Sequence, residues 1–128
     1  MKELDALLDD ISVFLVERSG YERLTAELQM LLIPCIVSGQ YVMQRNNGEI
    51  TAFLCYWKLT HKNMQLASKL KQPQRIDNGN QLYIVEAGNT TGNMRNLVNE
   101  LRTKEPYHIA IACHRKGRFT IKRQSGRR

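Results

Sequence analysis

Long apolar runs are missing from this chain of 128 residues. The longest, Met30–Val37, contains Pro34 and falls far short of the ~20 apolar residues a membrane helix needs, so no membrane span is expected. The N-terminal stretch MKELDALLDDIS is acidic and amphipathic. It lacks the basic start and unbroken apolar core of a signal peptide, and the protein is expected in the cytoplasm of its producing cell. Cysteine is sparse and odd in number: Cys35, Cys55 and Cys113, each inside an apolar run. That pattern speaks against a disulfide framework and reads as buried free thiols in a reducing compartment. Histidine is equally sparse. His108 and His114 share a strand face but stand about 20 Å apart, too far to chelate one ion. Cys113 and His114 are adjacent and point to opposite faces, so no zinc site is expected. No Ser-His-Asp set is legible, and there is neither a Walker loop nor a GxGxxG fingerprint.

Positive charge is plentiful but unevenly placed. The net charge is +7. Residues 102–128 hold nine Lys/Arg against the single acid Glu105, giving +8 there and −1 over residues 1–101. Such a patch attracts nucleic acid, anionic cofactors or acidic proteins. Arg115, Lys116, Arg118, Lys122 and Arg123 are the candidate nucleic-acid or partner-binding residues. With Phe119 and the Arg127-Arg128 tail they could lie along phosphates, and binding would then weaken steeply with salt. A hydrophobic fraction of 42% beside 24% charged residues fits an ordinary soluble globular protein. The length fits one domain, expected over residues 1–123, with 124–128 as a basic tail.

Apolar periodicity predicts a helix over residues 3–18, with Leu4, Leu7, Leu8, Ile11, Phe14 and Leu15 on one face and Ser19-Gly20 as its end. A second helix is expected from Thr25 to Leu32, with Pro34 limiting its continuation. Gln40–Arg45 and Glu49–Lys58 predict a β-hairpin about Asn46-Asn47-Gly48, because Asn-Gly supplies the positive φ angles of a tight turn. In the second strand Ile50, Ala52, Leu54 and Tyr56 should face one way, and Thr51, Phe53, Cys55 and Trp57 the other. Both faces are apolar, as in a central strand covered on both sides. Thr60 is placed to cap a helix reaching about Leu70, and Lys71–Asn80 reads as a polar loop. Then follow a strand Leu82–Glu86, a Gly/Asn/Thr turn, a helix Asn93–Lys104 stopped by Glu105-Pro106, and a strand Tyr107–His114. A turn at Arg115–Arg118 leads to a last short strand, Phe119–Lys122. The order predicts an α/β protein with a mixed central sheet flanked by helices on both faces. The 82–114 unit is expected to form a parallel pair with a right-handed crossover.

The turn Gly88-Asn89-Thr90-Thr91-Gly92-Asn93 leads into a helix N-terminus, where free N–H groups and the helix dipole favour anions. With Met94, these are the candidate cofactor-binding residues. The spacing Asn89-x-x-Gly92-x-Met94 approximates the Gln/Arg-x-x-Gly-x-Gly/Ala turn with which GNAT acyltransferases grip the pyrophosphate of acetyl-CoA. From Leu31 to Pro106 the chain resembles the RTX-toxin-activating lysine acyltransferases, a GNAT-like family. The features that carry this stand in order: the apolar stretch ending in Pro34, Gln40-Tyr41 opening a hairpin, the Cys55-x-Trp57 pair, and Leu59-Thr60 before a helix. The aromatic-led strand Tyr83–Glu86, Gly92, Leu97 and Pro106 complete them.

The resemblance implies a GNAT-like fold, acyl-CoA or acyl carrier protein as acyl donor, and an amine, possible as a protein lysine, as acceptor. The family's catalytic pair is a histidine and an aspartate. Counting back from Pro106, the aspartate position falls on Glu86. The histidine position falls near Gly20, Tyr21, Glu22 and Arg23, none of them a histidine. Glu86 is therefore the candidate base and Tyr21 the candidate proton donor to a departing thiolate. Deprotonating a lysine of reference pKa near 10.4 at pH 7 costs on the order of 4–5 kcal/mol, and a positioned base contributes about 10²–10⁴-fold in rate. Burial would raise the Glu86 carboxyl toward a useful value. The alternative is a fold that has kept its shape without catalysis, as a basic module binding nucleic acid or a protein partner, or a GNAT-like enzyme that modifies nucleic acid.

Overall fold

The structure is a computed structural model that describes residues 2–18, 26–70, 77–90, 94–105, 110–115 and 118–123. Its centre is β2 (Glu49–Leu59), whose apolar side chains on both faces demand cover on both sides. β1 (Tyr41–Asn46) pairs with it antiparallel across a turn at Asn47 and Gly48. Their φ angles of 55° and 82° are the positive values that an Asn-Gly hairpin turn uses. β3 (Gln81–Asn89) pairs antiparallel on the other side of β2. β4 (Ala110–Arg115) pairs parallel with β3, and β5 (Arg118–Arg123) pairs antiparallel with β4. Among the described residues the sheet is mixed and five-stranded, in the order β1-β2-β3-β4-β5. A parallel step needs a crossover, and α4 (Met94–Lys104) lies between β3 and β4 in the chain.

Each face of the sheet has its own core. α1 (Lys2–Val13), the π-helical turn Phe14–Arg18 that continues it, α2 (Ala26–Val37) and α3 (His61–Leu70) serve one face. There Ile11, Phe14, Leu15, Leu32, Cys35 and Met64 cluster with Phe53, Cys55, Trp57, Leu59 and Tyr83. α4 serves the other face, with Leu97 and Leu101 clustered with Val42, Ala52, Leu54, Tyr56, Leu82 and Ile111. Full burial of a large apolar side chain is worth roughly 1.5–3 kcal/mol. β2 supplies such side chains to both cores at once, through Phe53 on one face and Leu54 and Tyr56 on the other. No helix of the described residues is long and apolar enough to cross a membrane.

Several boundaries differ from the sequence expectation, each for a packing reason. α2 does not stop before Pro34 but runs through it to Val37. Leu32, Cys35 and Ile36 are buried at helical spacing, and their burial outweighs the ~3 kcal/mol that an interior proline costs. Gly39, with φ of 69°, then turns the chain into β1. β3 does not end at Glu86. It continues through Gly88 and Asn89, which pair with Phe53 and Ala52, because β2 is long enough to offer them a ladder. β5 takes in Arg118 and Arg123, so part of the expected turn belongs to a strand. The assignment of Ile50 to the face of Ala52 and Leu54 is also corrected. Thr51 is an extra residue in β2, since Gln44 pairs with Ala52 and Arg45 with Ile50. A bulge of this kind reverses the alternation, and Ile50 joins the core of Phe53 and Cys55.

The start of α3 is fixed as its sequence predicts. Thr60 Oγ1 accepts the Asn63 N–H at 3.3 Å. Asp77, from the loop after α3, holds that cap in place. Its carboxylate accepts from the Thr60 N–H at 2.8 Å, from Thr60 Oγ1 at 2.7 Å and from Asn63 Nδ2 at 2.6 Å. Gly79 lies so close behind that a Cβ there would sit 2.2 Å from main-chain atoms of Leu59 and Thr60. The expected Ser19-Gly20 helix end and the 124–128 tail lie outside the described residues.

Candidate active site

Glu86 owes its position to a second bulge. The parallel ladder between β3 and β4 runs from Gln81–Ala110 to Ile84–Cys113. At that point Val85 is an extra residue in β3: Tyr56 pairs with Ile84, but Cys55 pairs with Glu86. Cross-strand partners share a face, so Glu86 stands on the α2 side of the sheet beside Cys55, just beyond the end of the parallel pairing. The side chain is partly buried there. Burial pushes the carboxyl up from its ordinary 4.5 to about 7, against a hydrogen bond from the Ala87 main chain that holds it down. Near neutral pH it therefore populates both the acid and the carboxylate.

The neighbours of Glu86 narrow what the site can do. Burial holds the Cys55 thiol well above its usual range, and the adjacent Cys35 adds to the effect, while the Glu86 main-chain N–H pulls the other way. Cys55 is thus a neutral packing group near pH 7, in line with its reading as a core thiol. Cys35 Sγ contacts the Tyr56 carbonyl at 3.4 Å. Further along the same face of β2, the buried Trp57 Nε1 has no hydrogen-bond partner among the described residues. It is a donor in reserve on the Glu86 side of the sheet.

The expected phosphate turn is reshaped. Gly88 and Asn89 are strand residues. The Thr90 N–H and Oγ1 both donate to the Thr51 carbonyl, at 3.0 and 3.3 Å, so this amide is engaged by the bulge in β2. Thr91, Gly92 and Asn93 lie outside the described residues, as do Tyr21 and Lys116. Met94 opens α4 and packs on the second core. Glu86, Gly88, Asn89 and Thr90 thus lie along one strand and its exit, leading toward the N-terminus of α4. The basic candidates Arg115, Arg118, Lys122 and Arg123 lie elsewhere, in the β4–β5 hairpin. Among the described residues no His/Cys/Asp/Glu cluster could hold a metal ion.

A second polar cluster escaped the sequence reading. Tyr56 OH donates to Glu105 at 2.6 Å, and Glu105 pairs with Lys58 at 3.1 Å. Burial, helped by Glu105, pushes the Tyr56 hydroxyl far up, so it remains a donor. Next to it, Lys104 Nζ donates to the carbonyls of Gly39 and Tyr41 at 2.5 and 2.8 Å and lies 5.4 Å from the centre of the Tyr41 ring. Burial lowers its pKa, with Lys58 adding to the shift and Glu105 opposing it. These residues are far apart in sequence, so no spacing could have linked them. They fasten the C-terminus of α4 to β1 and β2. A comparison with protein-family models finds no match to the chain, and a comparison with curated proteins finds none either.

Proposed function

We propose that this protein transfers an acyl group from acyl-CoA or acyl carrier protein to an amine, a protein lysine being the acceptor that the sequence resemblance implies. The observation that carries the reading is Glu86, a partly buried carboxyl raised to about 7 just past the end of the β3–β4 parallel ladder. Ligands of α/β sheets enter at the carboxyl ends of the parallel strands, and a proton carrier works best when its pKa lies near the operating pH.

In this reading the amine nitrogen bonds to the thioester carbonyl carbon as the carbon–sulfur bond breaks. Glu86 takes the proton that the amine sheds, and the thiol leaves with a proton from Tyr21. The donor's phosphates meet the N-terminus of α4, which Met94 opens and which Thr91, Gly92 and Asn93 precede in the sequence, because the first N–H groups of a helix lack intrahelical partners. Gly88, Asn89 and Thr90 lead up to that end, and Trp57 Nε1 is a further donor on the Glu86 face. A second reading, a basic module that binds nucleic acid, draws on the +8 charge of residues 102–128.

Thermal unfolding with acetyl-CoA, long-chain acyl-CoA and acyl carrier protein tests the first reading. Binding to the native state raises the unfolding temperature. No shift with any donor at millimolar concentration would overturn it. With a donor that binds, Glu86→Gln should lower amine acylation by about 10²–10⁴-fold, with donor binding retained. Unchanged acylation would remove Glu86 from the chemistry.

A further inference from the structure

Two buried nucleophiles take no part in the proposed chemistry, and they stand together. Cys35 of α2 and Cys55 of β2 are both fully buried in the core on the α2 side of the sheet. Their thiols are hydrogen-bonded to one another. The backbone sets this pair. The Gln40 N–H donates to the Cys35 carbonyl at 2.8 Å, and the Tyr56 N–H donates to the Gln40 carbonyl at 3.0 Å. Cys35 Sγ also reaches the carbonyl of Tyr56, the neighbour of Cys55, at 3.4 Å. α2 is thus moored to β2 where the two sulfurs meet. Bonding them requires closure to about 2.05 Å, a small movement for side chains already in contact.

While the core is closed, the pair is sealed from reagents. Two features favour opening at α2. Pro34 has no N–H for the Met30 carbonyl, so the helical ladder is interrupted one residue before Cys35. Met30, Ile33 and Val37 are exposed, so α2 gains apolar burial along only part of its surface. Opening also releases Cys55 from the burial that keeps its thiol protonated, and the thiolate is the form that reacts.

We propose that Cys35 and Cys55 form a redox modification site, a dithiol that a peroxide converts to a disulfide when α2 opens and that locks the helix to the sheet when it recloses. In the first step one thiolate bonds to a peroxide oxygen and the O–O bond breaks. The sulfur becomes a sulfenic acid, and the departing hydroxide takes up a proton to give water. In the second step the other thiolate bonds to that sulfur and the S–O bond breaks, releasing a second water by the same route. The two thiols lose two protons and two electrons, and hydrogen peroxide is reduced to two waters. The bond closes the loop from Cys35 to Cys55 and so removes chain entropy from the unfolded state. It holds α2 on the face of the sheet where Glu86 stands, and a thiol reductant reverses it by exchange.

Treatment of the full chain with hydrogen peroxide, capping with iodoacetamide and peptide mapping by mass spectrometry test the proposal. A linked Cys35–Cys55 peptide lacking two hydrogens is expected, and dithiothreitol should abolish it. The oxidised chain should melt about 5–15 °C above the reduced one, and Cys35→Ala should show no such rise. Should that variant fail to fold by circular dichroism, glutathione redox buffers decide with the unaltered chain. There the constant for forming the bond should be at least about tenfold larger in water than in concentrated urea, because the stability that the bond lends the fold is lent back to the bond. Free thiols at both sites after peroxide, sulfinic acid in place of the link, or a link through Cys113 would each overturn the proposal. So would an oxidised midpoint at or below the reduced one, a rise that persists in a folded Cys35→Ala, or equal glutathione constants in water and urea.

Discussion

Glu86 links stability to pH in a direction opposite to most carboxylates. Its native pKa of about 7 lies above the ordinary 4.5, so between those values the native state holds a proton that the unfolded state has released. The stabilisation is fully present below about pH 4.5 and is lost as pH rises through about 7. At 1.36 kcal/mol for each pKa unit, the loss approaches ~3 kcal/mol as an upper bound. Glu86→Gln keeps the shape without the ionisation. Urea unfolding at pH 4.5 and pH 8.5 should therefore show wild type losing stability relative to the variant across that interval. Parallel stability curves for the two proteins would contradict the raised carboxyl. Asp77 and Gly79 carry a different prediction. The Asp77 carboxylate satisfies Thr60 and Asn63 together, so Asp77→Ala should cost about 2–4 kcal/mol, and Asp77→Asn less because one acceptor oxygen remains. Gly79→Ala places a methyl against backbone that cannot yield, and should lower the thermal midpoint with a cost of at least ~3 kcal/mol. A midpoint unchanged by Gly79→Ala would mean that this loop does not approach Leu59 so closely in solution.

Among the elements, α2 shows how tertiary packing overrules a local signal. Pro34 sits inside the helix because Leu32, Cys35 and Ile36 are buried on one side of it. The ring still denies Met30 its usual hydrogen-bond donor, so Pro34→Ala should raise the urea midpoint by a gain of about 1–2 kcal/mol, with an unchanged slope. A loss of stability would show that the proline ring contributes more by packing than it costs. The same contrast explains what the sequence made legible. α4 has Leu97 and Leu101 at helical spacing beside polar residues, and the β1–β2 turn has Asn-Gly, so both are local signals and both hold. The length of β3 is not a local property. Gly88 and Asn89 read as turn residues on their own, and they enter the sheet because Phe53 and Ala52 are there to pair with them. The bulges at Thr51 and Val85 leave no composition signal, yet they decide which core Ile50 joins and which face carries Glu86. The sequence marks Glu86 only by its distance from Pro106. Its partly buried setting depends on a partner strand that no count reveals.

At the scale of the whole molecule, the sheet is the middle of three layers, and its coherence can be read from two thiols. Cys35 belongs to α2 and Cys55 to β2, both are fully buried, and both are in the same core. Neither can meet a reagent unless helix and sheet part. If the helical layer and the sheet unfold as one cooperative unit, both cysteines become reactive only through global opening, which in a domain of this kind costs on the order of 5–15 kcal/mol. Native-state labelling with iodoacetamide over a range of sub-denaturing urea, read by mass spectrometry at each site, should then give Cys35 and Cys55 the same opening free energy. Their urea dependence should equal that of global unfolding, because the same surface is exposed in both events. A lower opening energy at Cys35, with a shallow urea dependence, would show instead that α2 detaches while β2 keeps its ladder partners. Since Glu86 stands beside Cys55 on the face that α2 serves, such a local opening would admit water to its carboxyl and return its pKa toward 4.5. Because the open form would ionise Glu86 more readily than the closed one, the opening free energy at Cys35 should then fall as pH rises through about 7 in wild type and stay level in Glu86→Gln, whereas global opening alone would give Cys35 and Cys55 one shared pH dependence.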